Sequence, residues 1–135
     1  MTVLRSGLAL LLCLLVHLPL AGMATPRALA ASVDWREVPA NADGRQWWDA
    51  GSLRLSRAGN LSVLSRFQPA SEADRPRLGD LYVMEIDCGQ KLYRDTSVNG
   101  VPRFGAEWQP ASGDDLISAV IDASCAAGAS LFQAA

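Results

Sequence analysis

Glu85 and Asp87, in the stretch "EIDCGQKLYRDTSV" (residues 85–98), are carboxylates two positions apart. On a strand this spacing puts both on one face, and a pair of carboxylates is what general acid–base or glycosidic hydrolysis requires. The competing reading is a solvated sheet face, matched across strands by arginines such as Arg54 or Arg94. Lys91, the only lysine, has no Ser-x-x-Lys spacing around it and reads as a surface charge. Trp47 and Trp48 are adjacent, so on a strand they point to opposite faces. One then belongs to a core, and the other either packs under the loop over 39–45 or reaches the surface, where tryptophan is a frequent interface anchor.

The N-terminus narrows the chemistry. Arg5 precedes "LALLLCLLVHLPL", an apolar run of thirteen residues (8–20), too short for a membrane span of about 20 and suited to the core of a secretory signal peptide. Ala28-Leu29-Ala30 supplies small residues for cleavage after Ala30, so residues 1–30 are expected to be a signal peptide and 31–135 a single exported domain, with no membrane span after processing. That places the protein in the periplasm, at the cell surface or in the medium. Arg5 and Arg27 leave with the signal, so 10 basic residues face 14 acidic ones, a net charge of −4. Nucleic acid and anionic membrane surfaces, which need clustered positive charge, are disfavoured as partners. His17, the only histidine, also leaves. A chain without histidine builds no Ser-His-Asp or Cys-His site and no histidine-containing zinc site; no catalytic residue, metal or cofactor is expected.

Two cysteines remain, Cys88 and Cys125. In an exported domain an even pair reads as a disulfide, and no C-x-x-C spacing favours a reactive or metal-binding pair. Closing a loop of this length contributes on the order of 4 kcal/mol in the chain-entropy estimate.

The elements follow from periodicity. Strands are expected over 32–38, 52–57, 61–67, 80–88 and 91–98, with a hairpin around Ala58-Gly59-Asn60 and a tight turn at Asn99-Gly100 that suits the type I′ geometry. The return strand after that turn contains Pro102, which fits an edge, and 106–110 completes the sheet. Residues 39–45 and 68–79 read as loops. Then the period changes to 3.6: Leu116, Ile117, Val120, Ile121 and Cys125 form one apolar stripe, with Ser112 and Asp115 as a capping signature and Gly128 as the stop. The result is an α+β fold, an antiparallel sheet of about six strands with one C-terminal helix tethered across it by Cys88–Cys125.

Three segments carry a family resemblance: "WWDAGSLRLSRAGNLSVLSRF", "YVMEIDCGQKLYRDTSV" and "WQPASGDDLISAVIDASC". In order and spacing, Trp48-Asp49, Ser52-Leu53, Gly59, Asp87-Cys88, Trp108 and Cys125 resemble the surface-adhesin protein E family of bacterial exported proteins, over roughly residues 33–127. The resemblance implies a six-stranded antiparallel sheet with the helix disulfide-tethered to its concave face. The family takes its name from members that bind host matrix and serum proteins, an activity that is not carried over to this chain. The reading is therefore an exported, non-enzymatic binding or envelope-associated domain, with another envelope or extracellular protein as partner and contacts near Trp47 and Trp48 or the adjacent loop 68–79. The alternatives are a hydrolase built on Glu85 and Asp87 and a structural subunit of an envelope assembly.

Overall fold

The computed structural model describes residues 32–70 and 79–134. The expected signal peptide lies outside the described residues, as does most of the 68–79 loop. Eight strands build one sheet: β1 (Trp35–Glu37), β2 (Gly44–Asp49), β3 (Arg54–Leu55), β4 (Leu61–Pro69), β5 (Asp80–Asp87), β6 (Leu92–Val98), β7 (Val101–Pro102) and β8 (Gln109–Pro110). Every pairing is antiparallel. The order is β1-β2-β4-β5-β6-β7, with β3 also on β4 and β8 also on β6. β2 and β3 follow one another along one edge of β4, and β7 and β8 along one edge of β6. Eight strands thus fill six columns, the width expected from the sequence.

The two-residue period decides which side chains meet the helix. Register pairs Leu61 with Ile86 and Val63 with Met84, all four of them buried. Across from them lies α1 (Asp115–Ala127), whose stripe buries Leu116, Val120 and Ile121. Burying a side chain of this size contributes roughly 1.5–3 kcal/mol, and these seven form the centre of the core. Cys125, one turn further along α1, is bonded to Cys88 at the end of β5, with their Cα atoms 5.8 Å apart.

Several boundaries differ from expectation for identifiable reasons. Only three residues of the 32–38 stretch pair as a strand, and all three are exposed, as befits an edge. The 52–57 strand shrinks to Arg54–Leu55, because Asp49 accepts from the Gly51 N–H and turns residues 50–52 into a single turn of 3-10 helix. Arg45, read as loop, belongs to β2. The helix cap is Asp114, which accepts from the Ile117 N–H, rather than Ser112. Gly128 does end α1, but not by a left-handed turn, since its φ is −84°. A Cβ there would come within 2.8 Å of Leu61 Cδ1, so the helix end packs closely on β4 and a side chain at this position would push Leu61 aside. A second helical turn, α2 (Ala129–Gln133), follows. At the β6–β7 turn, Asn99 and Gly100 take φ values of 49° and 80°, as the type I′ turn demands.

The loop length makes the clamp testable. Cys125→Ala is expected to lower the unfolding free energy by about 2–5 kcal/mol, read as a drop in denaturation midpoint, and reduction of the unmodified protein should reproduce that drop. An unchanged midpoint in both would contradict it.

Candidate functional site

β2 divides its two tryptophans between the faces of the sheet. Trp48 points inward and is 4% exposed; it belongs to the core and is not available to a partner. Arg36, its cross-strand neighbour on β1, lies 5.4 Å from the ring centre. Trp47 points outward and stays half-buried. Arg45, two residues earlier on the same face, lies 4.8 Å from its ring centre, and Arg66, directly opposite on β4, lies 5.5 Å away. Both guanidiniums are within range of a cation–π contact, worth about 0.5–1 kcal/mol at an exposed ring. Arg45 is held in turn by Glu37, through Nε at 2.6 Å and Nη2 at 2.7 Å. That pair, and chiefly its hydrogen bonds, holds the Glu37 carboxyl below its ordinary value. Asp49 fixes the strand end from within: its Oδ1 accepts from the Asp34 N–H at 2.7 Å and the Gly51 N–H at 3.0 Å.

The same outer face continues across the sheet. Leu81, opposite Arg66, is 37% exposed. Leu64 and Val83, paired with each other, are half-buried. At the far side Arg94 stacks on Trp108, 4.6 Å from its ring centre. Arg45, Arg54, Arg66 and Arg94 come from four different strands, so the sheet gathers positive charge that the sequence scatters.

Glu85 and Asp87 do share that face, but neither is free. Glu85 is 6% exposed, not solvated as expected. Its Oε2 accepts from Arg94 Nε at 2.8 Å and Nη2 at 2.6 Å, and its Oε1 accepts from Ser56 Oγ at 2.7 Å and Asn60 Nδ2 at 3.1 Å. Burial pushes its pKa up; the bonds from Ser56, Arg94 and Asn60 outweigh that and leave it below the ordinary glutamate value. The expected cross-strand partner Arg94 is thus found, and the β3–β4 turn supplies the other donors. Asp87 closes the β5–β6 turn, accepting from the Gly89 and Gln90 N–H groups at 3.0 Å each and from Gln90 Nε2 at 3.1 Å. Glu85, with four donors on it, is saturated and a poor proton donor or acceptor, and Asp87 is committed to its turn by three. A cleft walled by Phe67, Tyr82 and Tyr93 lies on the opposite face, and neither residue lines it. Lys91, expected as a surface charge, pairs with exposed Asp122 of α1. Among the described residues no group of histidine, cysteine, aspartate and glutamate side chains is arranged to hold a metal ion, and no helix is long and apolar enough to cross a membrane.

Two stability measurements separate these roles. Trp48→Ala should cost about 3–5 kcal/mol, whereas Trp47→Ala should cost roughly 1 kcal/mol, the worth of its cation–π contacts. Glu85→Gln should cost about 2 kcal/mol at neutral pH. Because the folded pKa is depressed, that stability is present above the unfolded pKa and is lost as pH falls through the folded one. The difference between variant and parent should therefore shrink below roughly pH 4.

The chain that builds this fold matches a known family. The model of the Surface adhesin-E family matches residues 36–131, a span that takes in both disulfide cysteines, Trp47, Trp108 and the whole of α1. No curated protein and no solved structure matches the chain. With nearly the entire described fold inside the match, this protein belongs to the Surface adhesin-E family.

Proposed function

We propose that the protein is an exported, non-enzymatic binding domain that docks another protein of the envelope or extracellular space on the Trp47 face of its sheet. Trp47 carries this reading. It is a large aromatic held half-exposed between two arginines, on a rigid strand rather than a loop. Such a ring offers much contact area at little entropic cost, and tryptophan with arginine is the pair most enriched where binding energy concentrates. Leu81, Leu64 and Val83 extend the apolar centre, and Arg54 and Arg66 edge it with positive charge. A partner segment with an apolar residue flanked by carboxylates complements this face.

Membership of an adhesin family supports recognition as the role, and the expected signal peptide supports export. The absence of histidine after residue 17, the saturation of Glu85 and the commitment of Asp87 to its turn favour binding over hydrolysis. The described end of the loop 68–79, at Gln68 and Pro69, continues β4 beside Arg45.

The test uses the mature chain immobilised against the native envelope fraction. Wild type and Asp122→Asn, a surface change on the opposite side, should retain the same partner; Trp47→Ala with Arg66→Ala should lose it, and moderate salt should weaken it. Retention by the double variant, or loss of a native hydrolytic activity in a folded Glu85→Gln, Asp87→Asn variant, would refute the reading.

A further inference from the structure

The concave face carries a second feature, independent of the Trp47 face. At the N-terminal end of α1 the helix and sheet leave a cleft of about 250 Å³. Phe67 of β4, Tyr82 of β5 and Tyr93 of β6 wall it, and Asp95 reaches into it from β6. Asp95 is two positions from Tyr93 on β6 and shares its inward face; a β-bulge follows directly. Between Val83 and Met84 the register shifts, so Val83 faces Ser97, Met84 faces Asp95, and Thr96 has no partner residue. Thr96 closes the break by donating from Oγ1 to the Val83 carbonyl at 3.1 Å. Met84 is buried in the core, and its opposite residue shares its face.

The charges facing the cleft are negative. Asp43 and Asp114 also line it; Asp114 is occupied with one oxygen as the helix cap, and Asp43 contacts Asn41. Asp80 lies beside Tyr82, and Arg103 is the cation that acts on both Tyr82 and Asp95. Burial pushes the Asp95 carboxyl above its ordinary value, with Arg103 offsetting only part of that. No hydrogen bond among the described residues reaches Asp95. Gln46 supplies a separate pointer. It is 2% exposed, and its Nε2 donates to Ser65 Oγ at 3.0 Å. Gln46 is itself one of the residues that line the cleft.

The geometry points to a binding site for an organic ammonium group, with Asp95 as counter-ion, Tyr82, Tyr93 and Phe67 as the aromatic cage, and the Gln46 carbonyl as acceptor. Aromatic faces and a carboxylate both attract such a cation, and desolvation strengthens both contacts. The volume is below the roughly 300–1,000 Å³ of drug-sized sites, which limits the occupant to an ammonium head on a short chain. A lysine side chain of a peptide and a free diamine share that chemistry.

Two probes distinguish the sources: 1,5-diaminopentane and Nα-acetyl-lysine methylamide, titrated at low ionic strength and followed by NMR of the tyrosine rings. At least one should bind saturably and shift the Tyr82 and Tyr93 signals; whichever binds more tightly names the source. Asp95→Asn should weaken binding at least about tenfold, as loss of a charge-assisted contact implies. It should melt no lower than the parent, since it removes an unpaired charge. Tyr93→Leu should weaken binding independently, while Trp47→Ala, on the opposite face, should leave it unchanged. Binding of neither probe, equal affinity in Asp95→Asn, equal binding of 1-pentanol, or calcium binding in place of the amines would overturn the proposal.

Discussion

One helix has to cover the concave face of a six-column sheet, and the rest of the structure depends on holding it there. α1 has 13 residues, about 20 Å of helix, while six columns span about 24 Å between outer strands. Coverage is therefore incomplete, and its placement matters. Cys125–Cys88 ties the C-terminal half of α1 to the end of β5, and Gly128 lets the helix end sit directly on Leu61. The seal is tightest over Leu61 and Ile86 and opens toward the N-terminal end, where Tyr82, Tyr93 and Asp95 are left facing a cleft. Clamp and cleft are two ends of one packing problem.

The two faces then serve different purposes by the same two-residue rule. Inward residues of β4 and β5 are mostly apolar and make the core, with Ser65 bonded to Gln46. Outward, beside Leu64, Leu81 and Val83, arginines, a tryptophan and carboxylates fall into short cross-strand groups: Glu37 with Arg45, Trp47 with Arg66, Glu85 with Arg94. In the last group the carboxylate is nearly enclosed while Arg94 stays about a third exposed, and Ser56 and Asn60 satisfy the second oxygen. Removing one donor would leave a buried charge under-compensated, which is costlier than never having buried it. The strip is a rigid surface because its members are tied to one another.

Much of this was legible in the sequence. The alternation in β4, β5 and β6, the Asn99-Gly100 turn, the apolar stripe of α1 and the cysteine pair each follow a single local rule, and each is found. β2 was harder to read because its buried positions include Gln46 and Asp49, polar residues whose hydrogen bonds come from Ser65, Asp34 and Gly51. Periodicity cannot register a buried polar residue whose partner lies 19 positions away, as Ser65 does from Gln46. For the same reason, periodicity does not show that four strands bring Arg45, Arg54, Arg66 and Arg94 onto one face. Asp95 shares the inward face of Tyr93 by simple alternation, but the "YRDTSV" stretch does not show that α1 leaves a cleft over it. Glu85 was recognisable as a partner of Arg94, but its enclosure required knowing where the β3–β4 turn would fold.

The split outer columns have a consequence for how copies of the chain behave toward one another. A long, straight outer strand would offer a row of unpaired amides to any neighbour, the usual seed of strand-to-strand aggregation. Here one outer edge is β7 and β8, two residues each, and each contains a proline, Pro102 and Pro110, that has no amide to donate. The other edge is β1, three residues long and carrying Arg36 and Glu37. Neither edge can template a continuous ladder. A sheet with one broad face left open is thereby protected at its edges against strand-to-strand pairing between copies.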